Sequence, residues 1–242
     1  MGRVVRCSWL LAGLAAAGCS SSGQIGAARP SVVQNATAST STSTSPSANS
    51  SPTVDVSASG TLTVWLEEPA QATWPDAVHL ATNKFNQTYP NVKITVTFQN
   101  WSSGYAAKAE AAIQSTTPPD VVELGTTETG GFISQGSLSD ITADKATFDN
   151  SSTWQDVLAQ SCTSNGKLFC VPYYAAKHDG VIVGGSDLAI PATSRHRLWA
   201  AAWIKAFTSN ATEQMFAQKG SGAPDGYTYL ANTTSIPASS SP

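Results

Sequence analysis

Charge is scarce in this chain. Only 12% of its 242 residues are charged, and 16 acidic against 13 basic side chains leave a formal net charge of −3. That balance cannot supply the basic stripe by which a nucleic-acid binder meets its partner, so no nucleic-acid partner is expected. Histidine is rarer still: His79, His178 and His196 are the three present. They are scattered without ligand spacing and read as surface residues, so no metal is expected. No Ser-His-Asp, metal or phosphate-binding motif occurs, and no cofactor is called for. Catalysis therefore lacks a constellation to perform it. Two carboxylate pairings, Glu67 with Glu68 and Glu123 with Glu128, are the remaining material for a glycoside-acting enzyme. The first is undercut by adjacency, since neighbouring residues on a strand point to opposite faces. Long apolar runs are missing too. Trp9–Ala17 is too short to span a bilayer.

What is there begins with a targeting pattern. Arg3 and Arg6 precede the Trp9–Ala17 run, and Ala16-Ala17-Gly18-Cys19 closes it. Residues 1–18 read as a signal peptide. The closing tetrapeptide resembles a bacterial lipobox, which implies cleavage before Cys19 and a diacylglycerol on its sulfur. Residues 20–59 are Ser, Thr, Ala, Pro and Asn with hardly a charge or an aromatic. Such a segment cannot bury enough apolar surface to offset its ordering entropy, so 19–59 reads as a lipid-bearing, disordered tether. The expected place is the extracytoplasmic face of a bacterial cell membrane, reached through the lipid anchor only.

The folded part is expected over 60–219. Thr61–Leu66 is β-branched and alternating, a strand, and runs into a loop with Glu67 and Glu68. Trp74–Tyr89 has helical register and is ended by Pro90. Val92–Phe98 alternates strictly. Asn100–Tyr105 is a loop before an Ala-rich helix, Ala106–Gln114. Pro118-Pro119 stop that helix, and Val121–Leu124 reads as a buried strand. This β-α-β-α-β order implies an α/β fold with a mostly parallel sheet flanked by helices. Short helices are expected at Phe132–Gly136 and near Ser152–Gln160. Trp203 and Phe207, four apart on a helix, read as core. Residues 220–242 read as a polar, disordered tail.

Two stretches carry most of the chemistry. Beyond Leu124 the composition flips to Gly125-Thr126-Thr127-Glu128-Thr129-Gly130-Gly131. Open α/β sheets bind ligands beyond the carboxyl ends of their strands, so this is a candidate ligand wall. The other reading is an ordinary strand-to-helix turn with Thr or Glu as cap. Cys162 and Cys170 flank Asn165-Gly166, a favoured hairpin turn, and read as one small-loop disulfide, with metal binding as the weaker alternative.

Five blocks in order then resemble the bacterial extracellular solute-binding proteins of sugar ABC transporters. They are Leu62-Thr63-Val64-Trp65 with Phe85–Pro90; Pro119–Leu124; Gly131–Ile141; Gly166–Tyr174; and Gly184–Pro191 with Ala200–Ser209. The resemblance implies two α/β lobes closing over a sugar, with ABC permease subunits as partners and a monomeric protein. It places the binding loops at Trp65, Glu67 and Glu68; at Trp101; at Thr126, Thr127 and Glu128; at Tyr173 and Tyr174; and at Gly185, Ser186 and Asp187. Sugars offer flat apolar faces to aromatic rings and rims of hydroxyls to carboxylates, which suits that set. One departure stands out. In the family, well over a hundred residues part the fourth block from the fifth; here Lys177 follows Ala176 directly. The second lobe is expected to be largely missing, with the join near 176–177. The function so implied is a substrate-binding lipoprotein of a sugar or oligosaccharide importer, in a truncated or impaired copy. The alternative is a surface interaction lipoprotein that binds no sugar.

Overall fold

The computed structural model describes residues 55–100, 104–149, 151–178, 181–219 and 227–230. The signal segment, Cys19, nearly all of the tether and Trp101 lie outside them. Strand β1 (Gly60–Glu67) is followed by α1 (Glu68–Thr73), α2 (Pro75–Thr88), β2 (Val92–Gln99), α3 (Tyr105–Ile113), β3 (Val121–Gly125) and α4 (Thr126–Ser134). A 3-10 turn at Thr142–Thr147 leads to α5 (Asp156–Ser161) and a small hairpin of β4 (Thr163–Ser164) and β5 (Lys167–Leu168). Then come β6 (Cys170–His178), β7 (Val181–Ala189), α6 (Arg197–Phe207), α7 (Asn210–Lys219) and β8 (Tyr227–Leu230). Six strands form one sheet in the order β2-β1-β3-β7-β6-β8.

The first half follows the expected β-α-β-α-β order. β1 and β2 run parallel in unbroken register from Gly60↔Val92 to Glu67↔Gln99, and β3 joins parallel to β1. Beyond β3 the sheet turns antiparallel through β7, β6 and β8, so the whole is mixed rather than mostly parallel. The reason lies in the connection. β6 and β7 are separated by residues 179 and 180 alone, and a two-residue link can join antiparallel neighbours but never parallel ones. The junction expected near Ala176 and Lys177 thus falls inside a β-hairpin. Within the stretch read as a polar tail, residues 227–230 form β8 along β6.

Local departures have local causes. Glu68 opens α1 instead of lying in a loop, with Pro69 in its first turn. The candidate wall after β3 is helical from Thr126 onward, so the ordinary strand-to-helix junction is the one formed. No side chain caps that helix: Gly125 holds the cap position in extended conformation. It ends at the expected glycine, Gly136, whose φ is +69°. The Asn165-Gly166 turn has φ values of +50° and +74°, both left-handed, as a two-residue hairpin loop demands.

The core lies on both faces of the sheet. Leu62, Val64 and Leu66 of β1 and Val121, Val122 and Leu124 of β3 are fully buried, as are Ala200, Trp203, Ile204 and Phe207 of α6. Trp203 and Phe207 stack at 4.9 Å. Trp74, Tyr173, Phe207 and Phe216 form a cluster with ring centroids 4.8 to 6.2 Å apart, which fastens α7 to the lobe. At the other end of the strands Asp120 ties β3 to β1: its Oδ2 accepts from the Thr63 amide at 2.9 Å, and its own amide donates to the Thr63 carbonyl at 2.8 Å. His196 is not a plain surface residue. It is half-buried, contacts Asp120 Oδ1 at 3.2 Å and stacks on Trp199 at 4.6 Å.

Candidate functional site

The carboxyl ends of β1 and β3 lie beside the middle of β6 and β7, and five polar side chains meet there. Glu67, the last residue of β1, is buried and accepts from the Tyr174 hydroxyl at 2.8 Å. Glu123, in β3, is completely buried. Its Oε2 accepts from the Glu67 amide at 2.9 Å and its Oε1 from the Tyr173 hydroxyl at 2.6 Å. Ser186 of β7 sits between them and hydrogen-bonds with Glu123 and Tyr174. The ladder explains how adjacent tyrosines reach one site. Pro172 pairs with Asp187 and Tyr174 with Ser186, so Tyr173 is an extra residue in β6. The bulge cancels the usual alternation, and the two rings lie 5.0 Å apart on the same side.

Two carboxyl groups this close in a dry environment cannot both ionise at ordinary cost. Burial pushes Glu123 well above the usual carboxylate range, and the charge of Glu67 pushes it further. Burial also raises Glu67, against hydrogen bonds from Tyr174 and Glu123 that favour its charged form. Burial and the neighbouring Glu67 favour the protonated form of Glu123, and both tyrosine phenols are held protonated by burial and by the same carboxylates.

Close packing joins this network to the start of α4. A Cβ added to Gly185 would sit 2.4 Å from the Tyr174 carbonyl oxygen and 3.4 Å from Thr126 Cγ2. Thr126 is half-buried, Thr127 is exposed, and Glu128 is half-buried with Oε2 enclosed and unpartnered. Glu68 stands apart on the rim, exposed, with Oε2 accepting from Asn100 at 2.8 Å. Trp65 is not at a strand end; it is half-buried two residues before Glu67, with the Lys108 ammonium 5.7 Å from its ring centroid.

The structure therefore gathers Glu67, Tyr173, Tyr174, Gly185, Ser186 and Thr126 and leaves others out. Tyr173 and Tyr174 are strand residues rather than loop residues, and Tyr173 is entirely buried. Gly185, Ser186 and Asp187 also lie within a strand. Asp187 faces away from its neighbour Ser186, where its Oδ2 accepts from Thr129 at 2.7 Å. Glu123 was weighed above only as a catalytic partner, yet it is the centre of the network. A lone carboxylate inside Val121-Val122-Glu123-Leu124 is the signal for it, since a charge in a buried strand requires partners.

Two cavities open elsewhere among the described residues. A groove of about 380 Å³ runs between α2 and the edge strand β2, floored by Ile94, Val96 and Phe98. A polar pocket of about 180 Å³ lies at the opposite ends of β1 and β3, beside Thr61, Thr63, Arg195 and His196. No described helix is long and apolar enough to cross a membrane.

Residues 59–177 match the model of the bacterial extracellular solute-binding proteins. The diacetylchitobiose-binding protein DasA of Streptomyces coelicolor is 28% identical over 120 residues, which are 50% of this chain and 27% of that protein. The chain thus spans about a quarter of the curated relative it matches. Among solved structures, the GacH receptor of Streptomyces glaucescens superposes with a TM-score of 0.55 at 13% identity, over 67% of this chain and 79% of that chain. A solute-binding protein from Thermotoga lettingae, bound with α-D-tagatose, gives 0.59 at 10% identity, over 73% and 83%. These structures share the fold.

Proposed function

We propose that this chain, whose residues 59–177 match the model of the bacterial extracellular solute-binding proteins, a family of binders rather than enzymes, is the substrate-binding component of a sugar or oligosaccharide ABC importer. The observation that carries this reading is the polar wall at the carboxyl ends of β1 and β3, where Glu67, Tyr174, Ser186 and Thr126 converge. That is the end at which α/β sheets take ligands. Trp65, Glu68, Trp101, Thr127 and Glu128 would extend the wall. Cys19 would bear the lipid that holds the domain at the outer face of the cell membrane, with 20–59 as its tether.

We further propose that the chain is an abridged copy. The hairpin of β6 and β7 supports this. Two crossing strands that would lead into and out of a second lobe are joined by residues 179 and 180 instead. A lone lobe covers a ligand on one side only, whereas a small-molecule pocket buries most of its ligand. Affinity should therefore fall toward millimolar, about 4 kcal/mol of binding, against about 8 for micromolar. Isothermal titration with mono- and oligosaccharides tests it. Trp101→Ala and Tyr174→Ala should weaken whatever binding there is, and inserting a relative's second-lobe segment between Ala176 and Lys177 should restore tight binding. Micromolar binding by the unmodified, monomeric chain would overturn the abridged reading.

One observation favours the second reading, an interaction lipoprotein without sugar binding. Glu67, Glu123, Tyr173 and Tyr174 satisfy one another. The same titration decides: no heat with any sugar, before and after the insertion, supports it.

A further inference from the structure

Asp187 is the least explained polar group in the lobe. It is fully buried, Thr129 occupies Oδ2 at 2.7 Å, and Oδ1 has no hydrogen-bond partner. An enclosed carboxylate oxygen without a partner is costly. What lies beside it is the Cys162–Cys170 disulfide: both sulfurs and a carboxylate oxygen of Asp187 lie within 4.8 Å of one another. The ladder puts them there. Cys170 and Pro172 share one face of β6, and Pro172 pairs with Asp187 across to β7, so Cys170 and Asp187 project to the same side. Cys162, at the end of α5, closes the group from the helix side.

We propose that reduction of the Cys162–Cys170 disulfide converts these three residues into a buried site for a thiophilic divalent cation, with zinc as the ion that fits best. Two thiolates and one carboxylate oxygen are zinc donors, and a water completes four-coordination. In a tetrahedral zinc site, sulfurs at about 2.3 Å and oxygen at about 2.1 Å from the metal lie roughly 3.5–3.8 Å from one another. The carboxylate needs to close up by about 1 Å from its 4.8 Å limit. Once the bond is reduced the sulfurs need to part, which side-chain rotation supplies with the Cα atoms 4.9 Å apart. The Thr129 hydroxyl on Oδ2 fixes the carboxylate's orientation, as partners of metal ligands commonly do.

The chemistry balances simply. A dithiol reductant gives two electrons and two protons to the disulfide, yielding two cysteine thiols and its own cyclic disulfide. Zinc then displaces the two thiol protons together with any proton held on Asp187, which binds as the carboxylate. The oxidised protein cannot bind the ion here, because each sulfur is already bonded to the other. Metal and disulfide are thus exclusive states of one site. The proposal is independent of sugar binding and stands or falls separately from it.

The test uses the full chain carrying Cys7→Ser and Cys19→Ser, so that Cys162 and Cys170 are the thiols present. After reduction with a phosphine, cobalt(II) is titrated as the optical probe and zinc as its competitor. The expected result is one equivalent of cobalt with a thiolate charge-transfer band, displaced by zinc, and a rise in melting temperature with zinc in the reduced protein alone. Asp187→Asn should weaken zinc binding by roughly tenfold or more; circular dichroism of the oxidised variant checks that it folds. X-ray absorption of the reduced, zinc-loaded protein should show two sulfur and at least one oxygen neighbour without recourse to any variant. No binding after reduction, equal binding before reduction, undiminished binding in a folded Asp187→Asn protein, or four sulfur neighbours would each overturn the proposal.

Discussion

The Tyr174 hydroxyl donates to Oε1 of Glu67 at 2.8 Å across 107 residues of sequence. This bond joins the parallel half of the sheet to its antiparallel half, because Glu67 ends β1 and Tyr174 lies in β6. With the Tyr173–Glu123 bond beside it, it spans the strands that form the candidate wall.

Tyr174→Phe removes the donor and leaves Glu67 with less support for its charge. A hydrogen bond to a charged group contributes about 1.5–3 kcal/mol. We expect a loss near the lower figure, because Tyr174 is only half-buried. Chemical denaturation at neutral pH measures it. A stability equal to wild type would show that water replaces the phenol without cost.

The network has a pH signature. Glu123 is raised well above its ordinary 4.5 and Asp187 from 3.8 to about 7, in both cases chiefly by burial. A raised folded value means that the native state holds its proton more firmly than the unfolded chain. The stability this gives is fully present below the unfolded values and is lost as pH climbs through the folded ones. The melting temperature should therefore be highest in mild acid and fall from about pH 5 to above pH 7. Glu123→Gln, which fixes a neutral side chain, should flatten the alkaline part of that fall. A melting temperature that rises steadily from pH 5 to 9 would contradict the neutral assignment.

Cys162 and Cys170 bracket a short loop, eight residues apart. In the chain-entropy account, closing it contributes about 2–3 kcal/mol. Urea midpoints of the oxidised protein and of Cys162→Ser/Cys170→Ser should differ by that amount. Thiol labelling of unreduced, denatured protein should find neither cysteine.

Gly185 lies where β7 passes the bulged strand. A methyl there would meet the Tyr174 carbonyl oxygen at 2.4 Å, a backbone atom that cannot swing aside. Gly185→Ala should cost about 1–3 kcal/mol, the range for overpacking, whereas Gly130→Ala, with open space around its Cβ position, should not. Comparable stability of the two variants would place the hairpin in a different register.

The sequence by itself determined what depends on neighbours along the chain. The alternation of Thr61–Leu66 and Val92–Phe98 marked two strands, Pro90 and Pro118-Pro119 marked the ends of the two helices between the strands, and Asn165-Gly166 marked the turn that brings two cysteines within bonding reach. Trp203 and Phe207 were legible as core from helical spacing alone. Only the tertiary structure decided which way the second half of the sheet runs, that Tyr173 is bulged, and that Gly185–Asp187 lie within a strand rather than a loop. The physical reason is that a strand's side chains alternate with period two. Which face each one takes is fixed by register with a partner strand, and one extra residue in β6 reverses it. That single shift turns Tyr174 to the side of Ser186, Glu67 and Glu123, while the unshifted pairing of β7 with β3 sets Asp187 on the opposite face, beside the sulfurs of Cys162 and Cys170.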